Sequence, residues 1–213
     1  AVRLYRTICT RTGLRAAGLH VYDGHIHEPD VEARTRQCNE EFRPVQAMVG
    51  EIRALGLPLP AVVAGGTPTF PIHARREGVE LSPGTPLLWD HGYGSAYPDL
   101  DFLHAAALVT RVVSRPAPRL VCLDLGTKAI ASEMPQPRLL LFGLEQCRIV
   151  AHNEEHLVVE TSDADRYPPG TVLYGIPTHI CPTVARYESA LIVESGRCTG
   201  EWSVVSRNRK ITI

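Results

Sequence analysis

The stretch Ala61-Val62-Val63-Ala64-Gly65-Gly66-Thr67-Pro68-Thr69 decides how the first half of this chain is read. Its four opening apolar residues do not alternate with polar ones, as expected of a strand covered on both faces of a parallel sheet. The glycine pair then ends the strand in a tight loop. The same grammar extends upstream. Leu14 to Tyr22 reads as a strand, Asp23 to Pro29 as its loop, and Asp30 as the cap of a long helix reaching about Leu55. Val31, Phe42, Val45, Met48, Val49 and Ile52 would form the buried face of that helix. Downstream, Glu80-Leu81 leads into Ser82-Pro83-Gly84-Thr85, and Pro86 to Asp90 reads as another strand. Strand, glycine loop and helix in succession are the pattern of an α/β barrel or a doubly wound sheet. Ala1 to Cys9 already carries a helical apolar stripe (Val2, Leu4, Tyr5, Ile8) with no capping residue before it, as if the domain's front were missing.

After Leu108 the pattern changes. Segments 109–114, 119–124, 138–142, 148–152, 156–161, 170–176, 185–193 and 202–205 are short, β-branched-rich and separated by Pro, Gly and charged turns. That predicts an antiparallel β domain, with an α/β domain over 1–108 and a β domain over 109–213. Composition is that of a globular protein, with 44% apolar and 21% charged residues and a formal net charge of −1. Near-neutrality leaves no electrostatic case for nucleic acid or an anionic membrane as partner. The longest apolar runs, such as Leu139-Leu140-Leu141-Phe142, are far too short to span a bilayer. The six cysteines are scattered without a CxxC pair and read as reduced thiols of a cytoplasmic protein.

Four motifs bear on chemistry. In Gly175-Ile176-Pro177-Thr178-His179-Ile180-Cys181-Pro182-Thr183, an extended backbone would present the imidazole of His179 and the sulfur of Cys181 on one face. Those are ligand types that Zn²⁺ favours, and two protein ligands leave positions for water and substrate. The plainer reading makes Cys181 a small buried hydrophobe and His179 a strand-end residue, and spacing alone does not separate the two. Gly65-Gly66-Thr67 and Pro83-Gly84-Thr85, each at a strand end, are candidate phosphate cradles, although neither is a P-loop or a dinucleotide fingerprint. Asp23-Gly24-His25-Ile26-His27 imitates the HxH of metal-dependent hydrolases. Such a site needs further His and Asp at later strand ends, and His73 and His104 fall on predicted helices. His152-Asn153-Glu154-Glu155-His156 is formally an inverted zinc-protease string, but its flanks read as strand.

Taken in order, Gly18-Leu-His-Val-Tyr-Asp-Gly-His25, Val63-Ala-Gly-Gly-Thr-Pro-Thr-Phe70, Leu81-Ser-Pro-Gly-Thr85, Leu88-Trp-Asp90, Asn153-Glu-Glu-His156 and Pro177-Thr-His-Ile-Cys-Pro-Thr183 resemble the D-threonine aldolases and D-serine dehydratases. These are alanine racemase-like, fold type III pyridoxal-phosphate enzymes. The resemblance implies that Gly65, Gly66, Thr67, Gly84 and Thr85 hold the phosphate of pyridoxal 5'-phosphate and that Tyr22 faces the cofactor. It also implies that His179 and Cys181 bind a divalent metal (Zn, or Mn or Mg) beside the cofactor and act on the substrate's β-hydroxyl. The implied substrate is a small D-amino acid and the implied assembly a homodimer. D-Threonine aldolase chemistry, giving glycine and an aldehyde, is the leading expectation. The alternatives are a D-serine dehydratase, giving a 2-oxo acid and ammonia, and a non-catalytic remnant. The family's Schiff-base lysine lies upstream of these motifs, and of the only two lysines here neither Lys128 nor Lys210 is placed to replace it. The chain is therefore expected to be only the C-terminal part of the (β/α)8 barrel followed by the antiparallel domain, and inactive alone.

Overall fold

The computed structural model describes residues 1–209. In chain order the elements are α1 (Val2–Thr10), β1 (Leu19–Val21), α2 (Val31–Ala54), β2 (Val62–Ala64), α3 (Phe70–His73), β3 (Glu80–Leu81) and α4 (His91–Ala96). There follow β4 (Leu108–Ser114), β5 (Leu120–Leu123), β6 (Leu139–Leu141), β7 (Arg148–His152), β8 (Leu157–Glu160), β9 (Val172–Pro177), α5 (Ile180–Val184), β10 (Ser189–Glu194) and β11 (Arg197–Ser203). They divide into two compact units, one of residues 1–86 with 96–101, the other of 87–95 with the chain from 102 onward.

The first unit alternates α and β around a parallel sheet of order β1-β2-β3. Asp30 starts α2 by accepting the Ala33 N–H at 2.7 Å, as its side chain predicts. The helix then buries Cys38, Phe42 and Ile52, with Phe42 packed on Val62 and Ala64 and Ile52 on Tyr5 and Ala16. Val31, expected on the buried face, is exposed. Gly18 lets β1 start hard against the backbone at Ala61, just ahead of β2. A Cβ there would lie 2.2 Å from the Ala61 carbonyl oxygen, and its φ of +133° favours glycine.

The second unit holds a six-stranded antiparallel sheet of order β6-β9-β4-β5-β8-β7 and a separate hairpin, β10-β11. Alternate residues of the strands point into one core, where Val112, Val121, Leu123, Leu157 and Val159 are fully buried.

Several expectations are corrected. The reading of the chain as only the C-terminal part of a (β/α)8 barrel ahead of a β domain does not hold. An alternating α/β unit with its own parallel sheet and core, plus a β-sheet unit, accounts for nearly the whole chain. The strand expected over 14–22 is limited to Leu19–Val21. Pro86 to Asp90 is not a strand. Thr85–Leu87 forms a 3-10 turn and Trp89 has φ +55°, a value no strand accommodates. His104 lies in irregular backbone, not a helix. No helix among the described residues is long and apolar enough to cross a membrane.

Candidate functional sites

In the first unit the loops after β1, β2 and β3 leave the same, C-terminal edge of the parallel sheet, because all three strands run one way. Tyr22, 70% exposed, lies over glycines. A Cβ on Gly24 would meet its ring at 2.3 Å and one on Gly66 at 3.2 Å. Gly65 has φ +92°, and a Cβ there would crowd His73 and Phe70. The two glycine N–H groups expected to face a phosphate are already engaged. That of Gly65 donates to Val21 O at 3.3 Å and that of Gly66 to Asp23 Oδ1 at 2.8 Å. Neither the backbone N–H nor the hydroxyl of buried Thr67 has a partner among the described residues, and the Gly84 N–H has none either. Thr85 is buried in its 3-10 turn. Thus Gly65 and Gly66 shape the turn, and Thr67 and Gly84 supply free donors, a set that suits an anion.

Behind the turn lies a buried group that no sequence motif announced. Asp23 accepts from Gly66 N–H, from Thr69 Oγ1 at 2.7 Å and from His73 Nε2 at 2.9 Å, while Cys38 Sγ sits 3.4 Å from the same His73 nitrogen. Burial raises the Asp23 carboxyl, but the hydrogen bonds from His73, Gly66 and Thr69 outweigh it and hold the group at about 2. The ligand atoms of Asp23, Cys38 and His73 all lie within 4.8 Å of one another, so the three form a candidate metal-binding triad. Spacing hid it: Cys38 lies four residues before Phe42 on α2, and His73 sits on the one-turn α3.

In the second unit His179 and Cys181 do come together, although not by strand alternation. Chain pairing ends with β9 at Pro177, His179 is the N-cap of α5, and Cys181 lies in the first turn of that helix. The turn is held from several sides. Buried Asp90 accepts the Ile180 N–H at 3.0 Å, Gly92 N–H donates to Thr178 O at 3.1 Å, and Thr183 Oγ1 donates to His179 O at 2.7 Å. Gly92 can only be glycine, since a Cβ would lie 2.3 Å from Thr178 O. Glu133, 46 residues away in sequence, meets His179 Nδ1 at 2.6 Å. A hydrogen bond with Cys181 first, and then the Glu133 contact, raise His179 to about 9 against the burial that would lower it. A carboxylate on Nδ1 is the partner that orients a metal-ligating histidine through Nε2, so this nitrogen and sulfur pair fits a borderline-soft divalent ion.

The other histidine motifs are committed elsewhere. His25 pairs with Glu41 of α2 and His27 is exposed, and the HxH lies outside the candidate triad. His152 sits on β7, its Nε2 3.0 Å from Leu125 O and its Nδ1 facing the side chains of Gln136 and Arg138. Lys128 is no carrier for a carbonyl cofactor. Its ammonium lies 2.6 Å from Glu155 and 2.9 Å from Glu154, and the Glu155 hydrogen bond first holds its pKa above the ordinary value. Lys210 lies outside the described residues.

Comparison with known proteins gives the family and the fold. Residues 105–193 match the family model described as "Putative serine dehydratase domain". An uncharacterized protein of Mycobacterium bovis is 31% identical over 115 residues, 52% of this chain and 86% of that one. The chain belongs to the family of that mycobacterial protein. A D-threonine aldolase from an Arthrobacter species is 30% identical over 201 residues, which cover 92% of this chain and 52% of the enzyme. The crystal structure of D-threonine aldolase from Filomicrobium marinum superposes with a TM-score of 0.87 at 24% identity, over 97% of this chain and 57% of that one. The likeness establishes a shared fold. Because it runs through the whole α/β unit as well as the β unit, it overturns the expectation that only a C-terminal part would match. The chain spans about half the length of the D-threonine aldolases it matches.

Proposed function

We propose that the protein is a pyridoxal-phosphate- and divalent-metal-dependent lyase acting on β-hydroxy-D-amino acids, in the manner of a D-threonine aldolase. The observation that carries this reading is the His179–Cys181 pair with Glu133 on its outer nitrogen. Similarity to D-threonine aldolases along nearly the whole chain supports it. Tyr22, Gly65, Gly66, Thr67, Gly84 and Thr85 would hold the cofactor. Thr67 and Gly84 would donate to its phosphate, while the two glycines of the β2 turn keep the backbone close. Bound there, the cofactor supplies an electron sink for bonds breaking at the substrate's α-carbon.

His179 and Cys181 would hold the divalent ion against the β-hydroxyl of the substrate, and Glu133 would keep the imidazole aligned for it. Loss of the hydroxyl proton with cleavage of Cα–Cβ yields glycine and an aldehyde, the aldolase outcome. Loss of the Cα proton with departure of the hydroxyl leaves an enamine, which tautomerises to an imine and is hydrolysed by water to a 2-oxo acid and ammonia, the dehydratase outcome. The match of residues 105–193 to a serine dehydratase model favours that second reading.

Product analysis on the purified protein, supplied with pyridoxal phosphate and Mn²⁺ or Zn²⁺, tests the proposal. D-Threonine should give glycine and acetaldehyde in equal amounts, with L-threonine inert. A 2-oxo acid and ammonia in equal amounts would select the dehydratase. Turnover that persists unchanged after removal of the metal would overturn both.

A further inference from the structure

The β2 turn presents Thr67 with free donors, and the glycines alone do not explain why it stays in that shape. The carboxylate of Asp23 is buried directly beneath it. Its Oδ1 accepts both the Gly66 N–H, at 2.8 Å, and the Thr69 hydroxyl, at 2.7 Å. The Gly66 carbonyl in turn accepts the N–H groups of Thr69, at 3.1 Å, and Phe70, at 2.9 Å. Residues 66–69 are thus tied at both ends, and Thr67 is left between the ties. The other carboxylate oxygen is held by His73 Nε2 at 2.9 Å.

The proton on His73 is placed by a third residue. Arg76 directs its Nε–H into His73 Nδ1 at 3.2 Å, and is itself anchored to Asn39 Oδ1 at 2.7 Å and over the Phe42 ring. The Asp23 and Cys38 contacts favour a second proton on the ring against burial, and the Arg76 donor opposes it: with Nδ1 accepting, the ring carries one proton, on Nε2 facing Asp23. That is the nitrogen on which the triad would have to bind an ion. Binding there would send the proton to Nδ1, against the Arg76 donor. In this arrangement the triad works through hydrogen bonds.

We infer that Asp23 is a positioning residue for anion binding: it sets the turn that presents Thr67, and Arg76, acting through His73, fixes the carboxylate in place. The inference rests on the phosphate reading given above and deepens it.

Asp23→Asn separates this from mere filling of space. The amide oxygen still has Gly66 and Thr69 to serve, but its NH₂ then opposes His73 Nε2–H. The ring escapes only by moving its proton to Nδ1, which Arg76 opposes. Removing that opposition in D23N/R76Q, where a glutamine oxygen accepts from Nδ1–H, should restore the turn. In the purified chain, D23N should weaken binding of pyridoxal 5'-phosphate about tenfold, the size of one to two lost buried hydrogen bonds, and leave pyridoxal without phosphate unaffected. D23N/R76Q should regain most of that loss. Amide exchange at Gly66 without ligand should accelerate in D23N and slow again in the double variant. If D23N does not fold, Thr69→Val removes one bond to the same oxygen and should show the same effects in smaller measure.

Failure of wild type to bind either ligand, with Gly66 exchange responding as stated, would sink the cofactor reading and leave standing only that Asp23 sets the turn. Gly66 protection unchanged in D23N and T69V would overturn the positioning role. So would zinc bound by the wild-type chain and lost in Cys38→Ser.

Discussion

The two candidate sites are built in opposite ways. In the α/β unit the organiser is buried and the donors face outward: Asp23 and His73 lie inside, and the turn above them carries Thr67. In the β unit the reactive groups themselves are half-exposed or exposed, and they engage one another: His179 with Cys181 and with Glu133. A site that takes an anion through backbone donors needs a rigid backbone, so its organising charges belong in the interior. A site that takes a metal needs its ligands at a surface that the ion and substrate can reach. If this contrast is right, substitutions in the second site should act on metal and leave the fold intact, whereas substitutions in the first should act on the fold of one loop.

The largest expected effect follows from two protein ligands sharing one ion. His179→Ala and Cys181→Ala should each reduce affinity for Zn²⁺ by about 100-fold or more, read by competition with a chelator, with thermal unfolding of the metal-free chain unchanged. Cys198→Ala, on β11, should change neither. Glu133→Gln comes next. It keeps a hydrogen bond to Nδ1 but removes the charge, and should lower metal affinity about 10-fold. Retained affinity there would reduce Glu133 to a surface partner. In the first site Gly65→Ala forces a side chain into φ +92° against His73, and should cost about 1–3 kcal/mol of stability in a denaturant titration, with metal binding unaltered.

Acid separates the two sites in a smaller but signed way. The Asp23 carboxyl is held at about 2, so its contribution to stability is fully present above its ordinary value near 4 and fades as pH falls toward 2. His179 is held at about 9 without metal, so protons compete with the ion below that pH. Metal affinity should therefore rise steadily from pH 6 toward about pH 9, well above the range where the Asp23 carboxyl itself titrates.

These contrasts also mark what was legible in the sequence. Strand, glycine loop and helix announced the α/β unit because apolar runs and caps are local, and Asp30 caps its helix as its side chain predicts. Most antiparallel segments were legible for the same reason, but the strand expected over 185–193 starts only at Ser189, and the one expected over 202–205 is the end of β11, which begins at Arg197. The Pro86–Asp90 strand failed because Trp89 takes a positive φ, set by how it packs against Tyr93 and Phe102 and not by its own preference. His179 and Cys181 were found, but through the wrong geometry: a helix start, not strand alternation, sets them side by side. Glu133 and the Asp23–Cys38–His73 group were invisible, since their members lie 15 to 50 residues apart and meet only through tertiary packing.

X-ray absorption spectroscopy on the zinc-loaded chain tests the central claim most directly, because it reads the ligand atoms without requiring turnover. Binding at His179 and Cys181 should give a sulfur shell near about 2.3 Å and a nitrogen or oxygen shell near about 2.0 Å, with the sulfur lost in Cys181→Ser and kept in Cys38→Ser. A sulfur shell that survives Cys181→Ser and disappears in Cys38→Ser would move the metal to the buried triad, and would take the β-hydroxyl chemistry proposed at His179 and Cys181 with it.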